Sequence, residues 1–131
     1  MIKAIAQYIE NQTDFTIGVD LWPGFIPSSD EGDGVALIES GGVPNFYLTD
    51  AKAKAVQVIS RASDYQTARD NAQEIFELLH GAAGITLPVV DAGEAYYVNT
   101  IEAISEPQSL GQDDKGLFII STNYIFRMQD A

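Results

Sequence analysis

The sequence predicts an α/β (α+β) fold: a mostly antiparallel twisted sheet packed against one main helix at residues 64–80, with a short N-terminal helix beside it. Three patterns predict it. Between Asp64 and His80, Tyr65, Ala68, Ala72, Ile75, Phe76 and Leu79 share one stripe, while Arg69, Asp70, Gln73, Glu74 and Glu77 lie opposite, the signature of an amphipathic helix. In the last third, residues 95–104 and 116–127 alternate in β-branched and aromatic residues on either side of a polar connector, Pro107–Lys115, and so read as a long two-stranded hairpin. At the start, Ile2, Ile5, Ala6 and Ile9 are spaced to share one face of a helix over residues 2–10.

The remaining elements follow in order. Asn11–Asp14 ends the first helix, and Phe15, Ile17, Val19 and Leu21 alternate with polar residues as a half-buried strand does. Trp22–Pro27, with two prolines and a glycine, then joins Ser28–Gly34 as one long loop. Val35–Glu39 is an apolar strand closed by a turn at Ser40–Pro44, and Asn45–Leu48 either extends it or stands alone. Lys54–Arg61 is a further strand. Ser63 and Gln66 form a capping box for the main helix, Asp64 suits the positive end of its dipole, and His80 followed by Gly81 marks its stop. Residues 81–93 lead into the hairpin. There, Tyr97, Asn99, Ile101 and Ala103 alternate with Tyr96, Val98, Thr100 and Glu102. Phe118, Ile120, Thr122, Tyr124 and Phe126 take one face of the final strand, and Leu117, Ile119 and Ile125 make its other face apolar enough to need a covering neighbour.

Composition bounds the function. A chain of 131 residues fits one domain, 1–131, that buries roughly two thirds of its unfolded surface. Nineteen Asp and Glu against seven Lys and Arg leave a net charge of −12, which repels phosphates and disfavours both tight duplex binding and anionic membranes. The absence of cysteine removes disulfides, thiolate metal ligands and a cysteine nucleophile. No secretory signal or membrane-spanning run is expected, so the default setting is a cytoplasm.

Catalytic equipment is sparse. His80 stands at a helix end, where a capping or dipole role fits better than catalysis. Asp30-Glu-Gly-Asp-Gly34 lacks the ligand spacing of a calcium loop, and Asp113-Asp114 suits a turn. The glycines at 81–84 follow a helix instead of opening one, so no phosphate loop is expected. These residues predict no enzyme, no metal and no cofactor. Trp22 and Phe25, aromatics in a proline-rich loop, are candidate interface anchors, although pinning the loop to the core would serve them equally well. Ile26, Tyr47 and Leu110 complete the candidate interface.

The order of elements, the Gly18-Val-Asp-Leu-Trp-Pro-Gly-Phe25 segment, the Gly41-Gly42 turn, the helix 63–81, and the connector carrying Pro107, Leu110, Gly111, Asp113 and Gly116 together resemble the minor capsid and tail-terminator (tail completion) proteins of long-tailed bacteriophages. The resemblance covers nearly the full length on motifs that are structural. It implies a non-enzymatic virion part, made in the host cytoplasm and placed in the tail-neck region. There it would form a ring, typically hexameric, at the head-proximal end of the tail tube, ending tube growth and joining tail to head. Its partners would be itself, the tail-tube protein and a head-completion or connector protein. DNA would pass without tight binding along a lumen for which Asp30, Glu31, Asp33, Asp113 and Asp114 are the loop-borne candidates. Two other classes stay open: an acidic DNA mimic that occupies a host nucleic-acid-binding protein, and a small-molecule binding domain using the Trp22 loop.

Burying Ile75, Phe76 and Leu79 against a sheet should contribute about 1.5 to 3 kcal/mol each. Ile75→Asp is therefore expected to unfold the domain; soluble variant that still melts cooperatively would refute the placement of this stripe.

Overall fold

A computed structural model describes residues 1–25, 33–44, 51–93 and 95–130. Along the chain run α1 (Ile2–Gln12), β1 (Leu21–Pro23), β2 (Gly34–Pro44), β3 (Ala51–Ala62), α2 (Tyr65–Leu79), β4 (Ala83–Leu87), β5 (Tyr96–Ala103), β6 (Gln108–Gln112) and β7 (Phe118–Asp130). The strands form one sheet in the order β1-β2-β3-β7-β5-β4, with β6 also paired to β7. Every strand pair is antiparallel except β1 with β2. The mixed, mostly antiparallel sheet with packed helices is the fold expected from the sequence.

Both helices bury most of their predicted stripes, but Tyr65, counted in the stripe of α2, is 42% exposed in its first turn. Ala4, Ile5, Ala6 and Ile9 of α1 and Ala68, Ala72, Ile75 and Leu79 of α2 are buried. They cluster with Val35, Leu37, Val56, Val58, Ala62, Ile120, Tyr124, Phe126 and Met128, so both helices cover the same side of the sheet. The cap of α2 differs from the capping box. Asp64, not Ser63, is the N-cap, and its Oδ2 accepts from the Thr67 N–H at 3.1 Å. An Asp there both satisfies an orphan donor and sits at the positive end of the dipole, which the Ser63–Gln66 pairing one residue earlier would not achieve. Inside the core, the Ser60 hydroxyl donates to the Ala68 carbonyl at 2.8 Å, locking α2 to β3.

Several loops and one strand are assigned differently by the structure. Of the expected strand Phe15–Leu21, residues 15–20 are not a strand. Gly18 has φ +87°, the Asp20 carboxylate accepts from the Thr16 N–H at 2.6 Å, and only a lone Ile17–Leu21 bridge remains. The side-chain hydrogen bond competes with sheet pairing and folds the segment into a turn. Within the expected loop, Leu21–Pro23 is instead a parallel edge strand on β2. The expected turn at Ser40–Pro44 is an irregularity between Glu39 and Gly42, with Gly41 at φ +89°, through which β2 continues. Residues 45–48 lie outside the described residues.

The hairpin arms pair, but only from Tyr96 opposite Asp130 to Ala103 opposite Tyr124, so the first part of the second arm does not meet the first arm. A register shift between Val98 and Thr100 breaks the simple alternation, so Val98 and Ile101, three apart, are both buried. The lead-in contains β4, and the connector contains β6, which completes the edge of β7 that β5 leaves open.

Tyr124 is fully buried. Burial pushes its phenol well above the ordinary tyrosine range, and the neighbouring Thr122 hydroxyl offsets this only in part. The geometry leaves both hydroxyls under-satisfied. On the opposite side of the sheet, the Trp22 ring lies against Gly34, beneath the Arg61 guanidinium at 5.7 Å. A Cβ at position 34 would fall well inside contact distance of that ring.

Gly34→Ala is expected to cost about 1–3 kcal/mol by overpacking, measured as a lower denaturant midpoint; an unchanged midpoint would show the indole free to move aside. Tyr124→Phe removes a hydroxyl with no good partner, so at neutral pH stability should change by less than about 1 kcal/mol. Above pH about 10 the unfolded chain releases the phenol proton while the folded chain keeps it, so folding stability falls by up to about 1.4 kcal/mol per pH unit. Melts across that range should show a smaller alkaline loss in the variant than in the parent.

Candidate assembly surface

Among the sequence-predicted interface residues, Phe25 and Leu110 present their side chains to solvent, at 58% and 56% exposure. Trp22 does not. At 5% exposure it is packed within the subunit between Gly34 and Arg61, and so takes the pinning role. Ile26 and Tyr47 lie outside the described residues. The fold adds exposed apolar side chains that pattern reading assigned to strands or linkers: Val19 in the turn before β1, Val89 after β4, and Ile104, at 62% exposure, just past the end of β5.

Ile104 and Leu110 occupy the same edge of β7. The Ile104 N–H donates to the Asn123 carbonyl at 2.9 Å, and β6 pairs from Gln108 opposite Ser121 to Gln112 opposite Phe118, with Leu110 at an irregularity marked by Gly111 at φ +89°. All five residues of β6 are exposed. Its place is fixed from below by Arg69 of α2, whose guanidinium donates to the Pro107 carbonyl at 2.7 Å. Ile104 and Leu110 thus stand exposed along one edge of β7, in a segment that Arg69 ties to the helix layer.

Of the candidate lumen acids, Asp33, Asp113 and Asp114 are described, and Asp30 and Glu31 lie outside the described residues. The structure brings the described ones to one end of the sheet. Asp33 accepts from the Ser63 N–H at 3.0 Å, beside the Asp64 cap. Gly34, Arg61 and Ile119 lie in one transverse row, so the turn carrying Asp113 and Asp114 closes that same end. Asp113 Oδ1 accepts from the Lys115 and Leu117 N–H groups, each at 2.9 Å, as turn chemistry predicts.

At the other end, α1 and the β4–β5 hairpin tip border a groove of about 400 Å³ lined by Met1, Ile2, Lys3, Val90 and Tyr96. It continues past Lys3 and Asp91 toward Ile17 and Pro23. The tip is a two-residue turn: Asp91 and Ala92 have φ 54° and 55°, and the Gly93 N–H donates to the Val90 carbonyl at 2.9 Å. Lys3 pairs with Asp91 at 3.3 Å across the groove, an exposed contact of small energetic weight.

The sheet face opposite the helices is a further apolar surface. Ile38, Ala55, Ile59, Ile119 and Ile125 remain half-buried on it, with the Gln57–Ser121 hydrogen bond of 2.9 Å between them. His80 acts locally. Its Nδ1 accepts from the Ala103 N–H at 3.1 Å and its ring stacks on Phe76 at 5.0 Å, joining α2 to β5. An accepting Nδ1 is unprotonated, so the ring ties elements together without lending positive charge to the dipole. Among the described residues, no helix is long and apolar enough to cross a membrane, and no three His, Asp or Glu side chains gather as metal ligands.

A search of curated proteins finds no match. A family model described as bacteriophage tail terminator protein matches residues 8–130, from within α1 to the end of β7. That span holds all the described strands and the acidic end, in keeping with a resemblance that covers nearly the full length. The chain belongs to the bacteriophage tail terminator family.

Proposed function

We propose that this protein forms a ring at the head-proximal end of a phage tail, where it stops growth of the tail tube and supplies the surface that joins tail to head. The observation that carries this reading is the family match over residues 8–130. A structural tail protein needs no catalytic site, and its partners are copies of itself, the tail-tube protein and a head-completion or connector protein. The fold supports assembly in one further respect: Phe25, Ile104 and Leu110 project into solvent, and large exposed apolar side chains of this kind mark contact surfaces. A ring closes such contacts without open-ended growth.

The acidic end carrying Asp33, Asp64, Asp113 and Asp114 faces the lumen in this reading. Carboxylates there repel the duplex and deny it the counterion release that would hold it in place. The family match lends nothing to the DNA-mimic alternative.

Light scattering and negative-stain imaging of the purified protein, alone and with growing tail tubes, test this reading. Rings, either free or capping tubes of uniform length, are expected. Tubes that elongate unchecked in its presence, with the protein monomeric throughout, would overturn it.

A further inference from the structure

Independently of the ring reading, we propose that residues 105–112 form a strap with two positions, docked on β7 or released from it, and that Arg69 is the latch that selects the docked one. The first observation is how little of the strap is buried. All five residues of β6 are exposed, its register with β7 shifts between Ser109 and Gly111, and its main packing among the described residues is on β7. Ordering a short strand costs backbone freedom of about the same size as its ladder returns, because each ladder bond replaces one to water. Apolar burial normally decides such a balance, and β6 adds little: Leu110, its large apolar side chain, is 56% exposed.

The second observation is where the segment is held. Between Ile104 and Gln112, Pro107 alone is buried. A proline has no N–H, so its carbonyl is the one backbone group whose burial demands a partner, and the Arg69 guanidinium supplies it at 2.7 Å. Arg69 is itself half-buried, next to Ala68 on the core face of α2. With the guanidinium in place, the docked carbonyl is satisfied by a charged donor; without it, docking would bury an unpaired acceptor, while release hands that carbonyl to water. One side chain thus decides between the two positions.

The flanks of the strap hold without it. Before it, the Ile104 N–H donates to the Asn123 carbonyl at 2.9 Å, and Ser105 and Glu106 follow as exposed residues where the chain can swing. After it, the turn at Asp113 is closed by its own bonds, from the Lys115 and Leu117 N–H groups to Oδ1 and from the Asp113 N–H to the Leu117 carbonyl. These bonds do not depend on β6. Release uncovers the backbone edge of β7 from Phe118 to Ser121 and carries Leu110 out of its fixed place, so the latch governs both a strand edge and an exposed apolar side chain.

Amide hydrogen exchange resolved by NMR tests the latch in the parent and in Arg69→Met, which keeps an apolar stem and loses the donors. Exchange across residues 105–112 should quicken about tenfold or more in the variant, while the Ile104 and Asp113 amides, the core of α2 and the melting temperature stay close to the parent's. Unchanged exchange in the strap would overturn the latch. An equal acceleration throughout the helices and sheet would overturn it too, because Arg69 would then be a general stabiliser. The parent alone supplies a second measurement that needs no substitution: low concentrations of urea should leave strap exchange unaltered, the mark of a local opening, while the most protected amides of α2 and β3 respond to it. Strap amides that exchange only together with those core amides would overturn the released position, and strap amides as fast as an unstructured peptide would overturn the docked one.

Discussion

The structure depends on β7 being paired along both edges. Its thirteen residues meet β3 on one side from Ala51–Gln129 to Ala62–Phe118, and β5 and then β6 on the other. A central strand of this length fixes two things at once. Its even-numbered residues, Ile120, Tyr124, Phe126 and Met128, supply the floor on which both helices pack. Its two ends are separated by the full strand, so the acidic turn at residues 113–117 and the groove near Tyr96 are held far apart on a stiff backbone. The placement of any assembly surface on this protein is therefore a consequence of sheet register.

Elements whose own residues repeat strongly were legible in the sequence. The stripes of α1 and α2 and the alternation of β3 and β7 each satisfy a period over several turns or pairs, and burial follows that period, while in β5 a register shift interrupts it. The elements that escaped, β1, β4 and β6, are three to five residues long and rich in glycine, proline or polar side chains. They are strands because a long partner offers them hydrogen bonds, which is information carried by β2, β5 and β7 and not by the short segments. The converse error at Phe15–Leu21 has the same origin. Its alternation is genuine, but Gly18 and the Asp20 carboxylate give the backbone a local alternative.

The candidate surface divides in the same way. Phe25 and Leu110 could be found from the sequence because apolar residues between turn formers have little to bury against. Trp22 could not be separated from them, since what removes it from the surface is Gly34, twelve residues on and one strand away. The groove was invisible for a stronger reason: its walls come from α1, the end of β2 and the β4–β5 tip, segments with no sequence relation to one another. Asp33 and Asp113 were each recognised as loop acids, but their meeting at one end follows only from the transverse row Gly34–Arg61–Ile119.

The edges of the sheet bear on how such a chain can assemble. An open strand edge is the easiest route to self-association and the least specific. Here three edge strands carry a device against it. On β1, the Leu21 carbonyl already accepts from the Gly18 N–H, and Pro23 has no N–H to give. On β6, Gly111 at φ +89° sits at a register shift, and on β4, Gly84 at φ +67° departs from strand geometry. With backbone pairing discouraged at these three strands, contact there is left to side chains, which can be apolar where docking is wanted and acidic where it is not. Side-chain contacts have a definite orientation and end when their partner is filled, whereas an open edge would accept strand after strand. In the proposed role of ending tube growth, that difference is what the sheet edges contribute.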